Sequence, residues 1–278
     1  MIKSMTARAK VVVVSGGTAG MGRALALARA QRGDRVIAIG SDPAKGRALT
    51  DAGGGRIDFL RADLSSVAAT RSVVAAVQER HNAIDALALF ANRLAPSRRL
   101  TAEGLEQTFA LYYLSRYLLS HGLRETLGRA PAPLIVNVAG VGTTRGAVRW
   151  DDLQLARRYR MVDAQLQAGR ANDLLGVDFA SRGARARYVL YHPGFTRSGD
   201  ASPLPAPLRL ALRVAALAAR PVAASVRPIV EWIDTPPTAP LTAVDRDRLV
   251  PLDTPTLAPS AAHRLADATA ALLTDLET

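Results

Sequence analysis

"KVVVVSGGTAGMGRALALARAQRGD", residues 10 to 34, decides the fold. A run of β-branched valines, a glycine turn and an alanine-rich stretch predict a buried strand, a tight loop and a helix. Glycines stand at 16, 20 and 22. Gly16 allows the turn, Gly20 lets backbone approach a pyrophosphate, and Gly22 lets the helix pack closely on the sheet. Phosphates would then meet the free N–H groups at the helix N-terminus. Such glycines alone are weak evidence; between a strand and a helix, at the head of an alternating chain, they are strong. Thr18 and Met21 belong to the same cofactor-binding loop.

The alternation continues. "RVIAIG", "RIDFLRADL", "IDALALFA", "PLIVNVAG" and "ARYVLYHPG" are short apolar runs, separated by helical patterns that include 103 to 120 and 161 to 180. Buried runs of this kind imply a parallel sheet with helices on both faces. The expected fold class is α/β, a doubly wound Rossmann sheet in three layers, forming a single domain over residues 1–278. After Pro193 the texture turns proline-rich and apolar, and residues 199–225 could be a substrate flap or a dimer element. The end of the chain predicts a loop or short strand and a C-terminal helix.

Composition narrows the function classes. The 278 residues are 49% apolar and contain no cysteine, which excludes disulfides, thiolate catalysis and cysteine metal sites. No apolar run approaches a membrane span, so a cytoplasmic protein without a membrane partner is expected. The net charge of +12 is mostly arginine scattered along the chain. Without a basic stripe or reader motif, nucleic acid is not an expected partner. The four histidines lack metal-ligand spacing, and no metal site is expected.

The loop "SGGTAGMG" at 15 to 22 resembles that of the short-chain dehydrogenase/reductase family. "ADL" at 62 to 64 matches the family's adenine contact, which implies Asp63 and Leu64 at the adenine. "HPGFTRS" at 192 to 198 resembles the nicotinamide segment, with Pro193 and Gly194 in the turn and Ser198 in the place of the usual threonine. At the end of the second strand stand Gly40, Ser41 and Asp42, with Lys45, Arg47 and Arg23 nearby. A carboxylate there suits NAD(H), whereas hydroxyls and cations suit NADP(H). Ser41 and the cations favour NADP(H).

Residues 136 to 172 are similar, without a gap, to the long segment of the retinol-dehydrogenase-like branch. Gly146, Asp152, Leu153, Tyr159, Ala164, Ala171 and Asn172 all fall on the branch's residue types. The family's chemistry uses a tyrosine to move a proton, a lysine to lower its pKa, a serine to steady the oxygen and an asparagine to hold a water. In this chain the resemblance puts Tyr112 at the asparagine position, Gly140 at the serine, Gln165 at the tyrosine and Gly169 at the lysine. The family's "NNAG" segment has become "LFAN", residues 89 to 92.

Ordinary carbonyl reduction by the family mechanism is therefore not expected. Three readings follow. Hydride transfer survives with a cationic or conjugated acceptor; or the pocket performs a redox-neutral cyclisation or isomerisation; or the chain is a non-catalytic cofactor binder. Tyr112, Tyr159, Asp163 and Gln165 are the candidate catalytic side chains, and Asn92 a hydrogen-bonding one. Tyr112 and Tyr159 also make sense as packing residues, and Asp163, just before the first turn of its helix, as a cap. Loss of the lysine enlarges the cavity and suits a bulky small-molecule substrate. The resemblance also implies a homodimer or homotetramer through the helices over 103 to 120 and 161 to 180.

Overall fold

The valine run forms β1 (Val11–Ser15), the strand from which the sheet grows in both directions. The computed structural model describes residues 8–196 and 219–277. After β1 come α1 (Gly20–Gln31), β2 (Arg35–Gly40), α2 (Pro43–Ala52), β3 (Ile57–Arg61), α3 (Val67–Arg80) and β4 (Ala86–Leu89). A π-helical stretch (Phe109–Leu114) leads into α4 (Ser115–Gly122) and α5 (Arg124–Gly128). β5 (Leu134–Val138), α6 (Met161–Ser181), β6 (Arg187–His192), α7 (Val222–Asp234), β7 (Leu241–Asp245), β8 (Arg248–Leu249) and α8 (Pro259–Asp275) complete it.

The sheet order is β3-β2-β1-β4-β5-β6-β7-β8. Strands β1 to β7 pair in parallel and β8 turns back antiparallel on β7. The expected doubly wound sheet is present, and the segment after residue 240 forms the short strands β7 and β8 before the helix α8. Chain order reverses between β1 and β4, and this opens a crevice at their carboxyl ends, where such sheets bind ligands. Two apolar clusters cover the two faces. Val13, Ile37, Leu87, Ile135 and Leu190 look toward α3, α4, α6 and α8. Val12, Val36, Ala88, Val136 and Val189 look toward α1 and α7. Alternate residues of each strand serve opposite faces, so both faces must be covered.

The helix expected over 103 to 120 begins later. The Glu106 carboxylate accepts from the backbone N–H of Thr108 (2.8 Å) and Phe109 (2.7 Å), which satisfies donors at the helix start. Asn172 donates to the carbonyl of Tyr112 at 2.7 Å, so the π-turn is tied to α6.

Residues 197–218 lie outside the described residues, and with them Ser198 and most of the 199–225 element. Residues 222–225 open α7, where Ser225 and Val226 are buried, and α7 packs on α1. Buried Arg29 of α1 donates to Asp34 and to Asp234 of α7, each at 2.6 Å.

α8 lies across the outer side of α6 and α4. His263 meets Ser181 at the end of α6 (3.4 Å), Thr269 bonds the Tyr113 hydroxyl (2.7 Å), and Glu277 beyond it pairs with Arg71 of α3. Of the two helices expected to meet a second subunit, α6 is packed on one side by α8. Among the described residues, no helix is long and apolar enough to cross a membrane.

Candidate functional site

The site is built where α1 starts. Ala19, before the first turn, has no side chain able to cap the helix, so its leading N–H groups stay available to an anion. Gly22 is required by packing: a Cβ there would collide with the carbonyl oxygen of Gly16. Gly16 and Gly20 both take positive φ, as the turn demands. Thr18 stands over the end of β2, where a Cβ on Gly40 would meet its hydroxyl and methyl at 2.8 Å. Met21 and Leu64 are both core residues, so what they offer a ligand is a packed floor.

Asp42 is half-exposed, and one oxygen of its carboxylate is turned to its own helix. Its carboxylate caps α2, accepting from the N–H of Ala44 (2.9 Å) and Lys45 (3.1 Å), and these bonds hold its pKa below the usual range. Ser41, Arg23, Lys45 and Arg47 are exposed around it. Asp63 accepts from the N–H (2.9 Å) and hydroxyl (2.7 Å) of Ser65 through one oxygen. Pro193 and Gly194 follow directly on β6, and Gly194 takes φ +79°.

On the other wall, α6 carries Gln165 and Gly169 one turn apart. Gly169 is buried, yet a Cβ built on it meets no atom of a neighbouring element within 4 Å among the described residues. At Gly140, among the described residues, only the Thr143 methyl comes near, at 3.7 Å. Neither glycine is demanded by crowding. Gln165 accepts from the Asn92 amide (2.9 Å) and donates to the Arg93 carbonyl (3.2 Å), so it latches α6 to the segment after β4.

The other candidates separate clearly. Tyr159 donates to the Ala95 carbonyl (2.7 Å) and lies 3.4 Å from the Thr108 hydroxyl, and burial raises its pKa. Its phenol is engaged in holding a loop. Asp163 lies inside the first turn of α6, not before it, and pairs with Arg149 at 2.9 Å without capping. Tyr112 is almost wholly buried, and its hydroxyl has no partner among the described residues. Burial raises its pKa, and the guanidinium of Arg116, 4.6 Å from its ring centroid, opposes that rise.

Two features had no sequence signal. His192 and Asp245 end the neighbouring strands β6 and β7 in register, and the imidazole Nδ1 lies 2.8 Å from the carboxylate. Arg116, on an apolar stretch of α4, is completely buried.

The short chain dehydrogenase family matches residues 10–151. The chain belongs to the short-chain dehydrogenase/reductase family. A Streptomyces protein named "Putative daunorubicin C-13 ketoreductase DnrU" is 34% identical over 68% of this chain and 67% of its own. Bovine retinol dehydrogenase 12 is 28% identical over 68% of this chain, and the match spans 62% of its own length. This short-chain dehydrogenase/reductase is thus retinol-dehydrogenase-like. Among solved structures, a Mycobacterium paratuberculosis protein superimposes with a TM-score of 0.74 at 21% identity, covering 95% of this chain and 92% of that one. At that identity the likeness concerns the fold. The family binds NAD(P) and acts on small molecules.

Proposed function

We propose that this short-chain dehydrogenase/reductase transfers hydride from NADPH to a bulky conjugated or cationic acceptor, without the family's tyrosine and lysine. The observation that carries the reading is the contrast between its two walls. The nucleotide wall keeps an uncapped helix start and the close packing at Gly22, while the opposite wall has open space at Gly140 and Gly169. A conjugated or cationic acceptor takes hydride without needing a proton in the same step.

NADP(H) is preferred in this reading because one oxygen of Asp42, the carboxylate that could receive ribose hydroxyls, already caps α2 and the other faces Lys45 at 3.9 Å. The exposed Arg23, Lys45 and Arg47 and the hydroxyl of Ser41 suit an extra phosphate. Gly16, Thr18, Gly20, Met21, Gly22, Ser41, Asp63, Leu64, Pro193 and Gly194 form the cofactor site of this proposal. The relative named for daunorubicin supports a large polycyclic substrate and a place in specialised metabolism. A cytoplasmic location belongs to the proposal too. Any homodimer or homotetramer uses a face other than the one α8 covers.

Calorimetric titration with NADPH and NADH tests the reading. The expected result is Kd of roughly micromolar order for NADPH and about tenfold weaker binding of NADH. Folded, cofactor-free protein that gives no heat with either would sink it. A redox-neutral cyclase or isomerase would then be the better account, since the space at Gly140 and Gly169 serves a cyclising substrate equally well.

A further inference from the structure

Three arginines are buried among the described residues: Arg29, Arg116 and Arg170. Arg29 meets the carboxylates of Asp34 and Asp234. Arg170 meets Asp173 at 2.9 Å, and burial against it leaves that carboxyl pushed up to about 7. Arg116 meets no carboxylate. Its donors go to the Asn137 side-chain oxygen, the Val138 carbonyl (2.8 Å) and the Ala91 carbonyl (3.0 Å), and its Nε has no partner. Burial lowers its pKa to about 10, so it remains a cation.

A buried guanidinium without a counter-charge is unfavourable, and proteins ordinarily pair or neutralise such groups. Here the surroundings are fixed so that it stays put. Asn137 donates to Asn172 (3.1 Å) and Tyr188 (2.9 Å), which forces its oxygen toward Arg116. The Tyr112 ring lies against the guanidinium, its centroid 4.6 Å from the central carbon. Ala91 and Val138 lie at the carboxyl ends of β4 and β5, so the cation sits beneath the crevice. The Tyr112 hydroxyl is not among the buried atoms left without a partner, so its tip is the accessible end of the pair. Asp173, a carboxylate whose charge acts on Tyr112, is already engaged with Arg170. Among the described residues no carboxylate meets Arg116, which leaves the guanidinium and its tyrosine open to an anionic ligand atom.

We propose that Tyr112 and Arg116 form one anion-stabilising unit, which takes a conjugated carbonyl or quinone whose oxygen becomes anionic during reaction. Tyr112 is the catalytic residue, and Arg116 is a positioning residue that acts through its ring. The unit rests on the proposed function only for the source of electrons. A bound reduced nicotinamide would supply hydride to the conjugated carbon, and the displaced π pair would move onto the oxygen. The Tyr112 proton passes to that oxygen, the phenolate rests over the guanidinium, and water returns the proton. The products are the enol or hydroquinone and the oxidised cofactor. A redox-neutral enolisation would use the same unit.

The test uses 1,8-dihydroxyanthraquinone, whose phenolate absorbs at longer wavelength, titrated with pH on the cofactor-free full chain. Bound dye is expected to ionise at least about one pH unit below free dye, a tenfold preference for the anion. Tyr112→Phe keeps the ring and the cation, and lessens the shift by at least about threefold in affinity for the anion. Arg116→Gln abolishes the shift, and Arg116→Lys, which keeps charge but loses the planar stack, restores part of it. Circular dichroism confirms folding; if Arg116→Gln fails to fold, wild type and Tyr112→Phe decide. Absence of saturable dye binding, an unshifted titration, or a shift untouched by Tyr112→Phe each overturns the proposal. Wild-type NADPH titration is a separate readout. A dye shift without NADPH binding keeps the unit and removes the hydride source.

Discussion

The side-chain amide of Asn92 donates to Oε1 of Gln165 across 2.9 Å, joining the segment after β4 to the second turn of α6. With the bond from Gln165 to the Arg93 carbonyl, this glutamine is a latch. An amide has no proton to give at useful rates, and both of its polar atoms are occupied. Gln165→Leu is expected to destabilise the fold by about 1 kcal/mol, the ordinary net worth of partly exposed hydrogen bonds. Urea unfolding measures this, and a cost above about 3 kcal/mol would contradict the latch description.

Asp42 offers a sharper test of cofactor preference. Asp42→Ala removes the cap of α2 and should cost about 1 kcal/mol in stability. Because the carboxylate is turned to its own helix, the ratio of NADPH to NADH affinity should move by less than about threefold. A large shift toward NADPH would mean that Asp42 faces the ribose after all.

Two glycines should respond in opposite directions. Gly22→Ala forces a methyl against the Gly16 carbonyl, so the loop must open, and loss of NADPH binding with roughly 2 kcal/mol of destabilisation is expected. Gly169→Ala adds a methyl in open space inside a helix and should stabilise by about 0.5–1 kcal/mol. Thermal melts of both variants provide the comparison.

His121 gives the fold an acid-side weakness. Burial lowers its pKa to about 4, although Asp178 lies 3.8 Å away and pulls the other way. The folded state therefore prefers neutral imidazole. Its contribution is complete above the unfolded value and is lost as pH falls from about 6.5 toward 4. Asp173 has the opposite slope, because its raised carboxyl pKa makes the folded state lose stability as pH rises from about 4 to 7. Wild type minus His121→Gln cancels Asp173, and this difference should fall by roughly 2 kcal/mol between pH 7 and pH 4. A flat difference would show that imidazole burial is unimportant.

The covering helix α8 also makes a prediction. Leu265 is 1% exposed beneath it, and Leu265→Ala should cost about 2–4 kcal/mol. Light scattering should show the variant's apparent mass rising with concentration as α8 loosens and the apolar side of α4 and α6 is uncovered. If α8 instead forms no barrier, wild type and variant will share one association constant.

Much of this architecture was legible in the residues. β1, α1 and the glycine loop could be read from a valine run, an alanine-rich stretch and three glycines, because strand and helix periods are local properties of the chain. Where a turn depends on a distant partner, local reading failed. The helix expected from 103 starts later because Glu106 caps it, and the π-turn at Tyr112 depends on Asn172, sixty residues away. Asp42 was legible as a carboxylate but not as a cap, since direction is set by the backbone of α2.

The sequence by itself determined the doubly wound order, the nucleotide loop and the identity of the residues at 112, 140, 165 and 169. Each depends on residue type and spacing, which the chain carries wherever it folds. Only the tertiary structure decided which of those residues are spoken for. Gln165 became a latch, Tyr159 a loop tie and Asp163 an ion-pair partner, because the segments bearing their partners were brought alongside. Arg116 is one more arginine in a basic chain until the sheet closes over it. Burial then strips away water and leaves it a cation without a carboxylate, under a tyrosine whose hydroxyl is unpaired among the described residues.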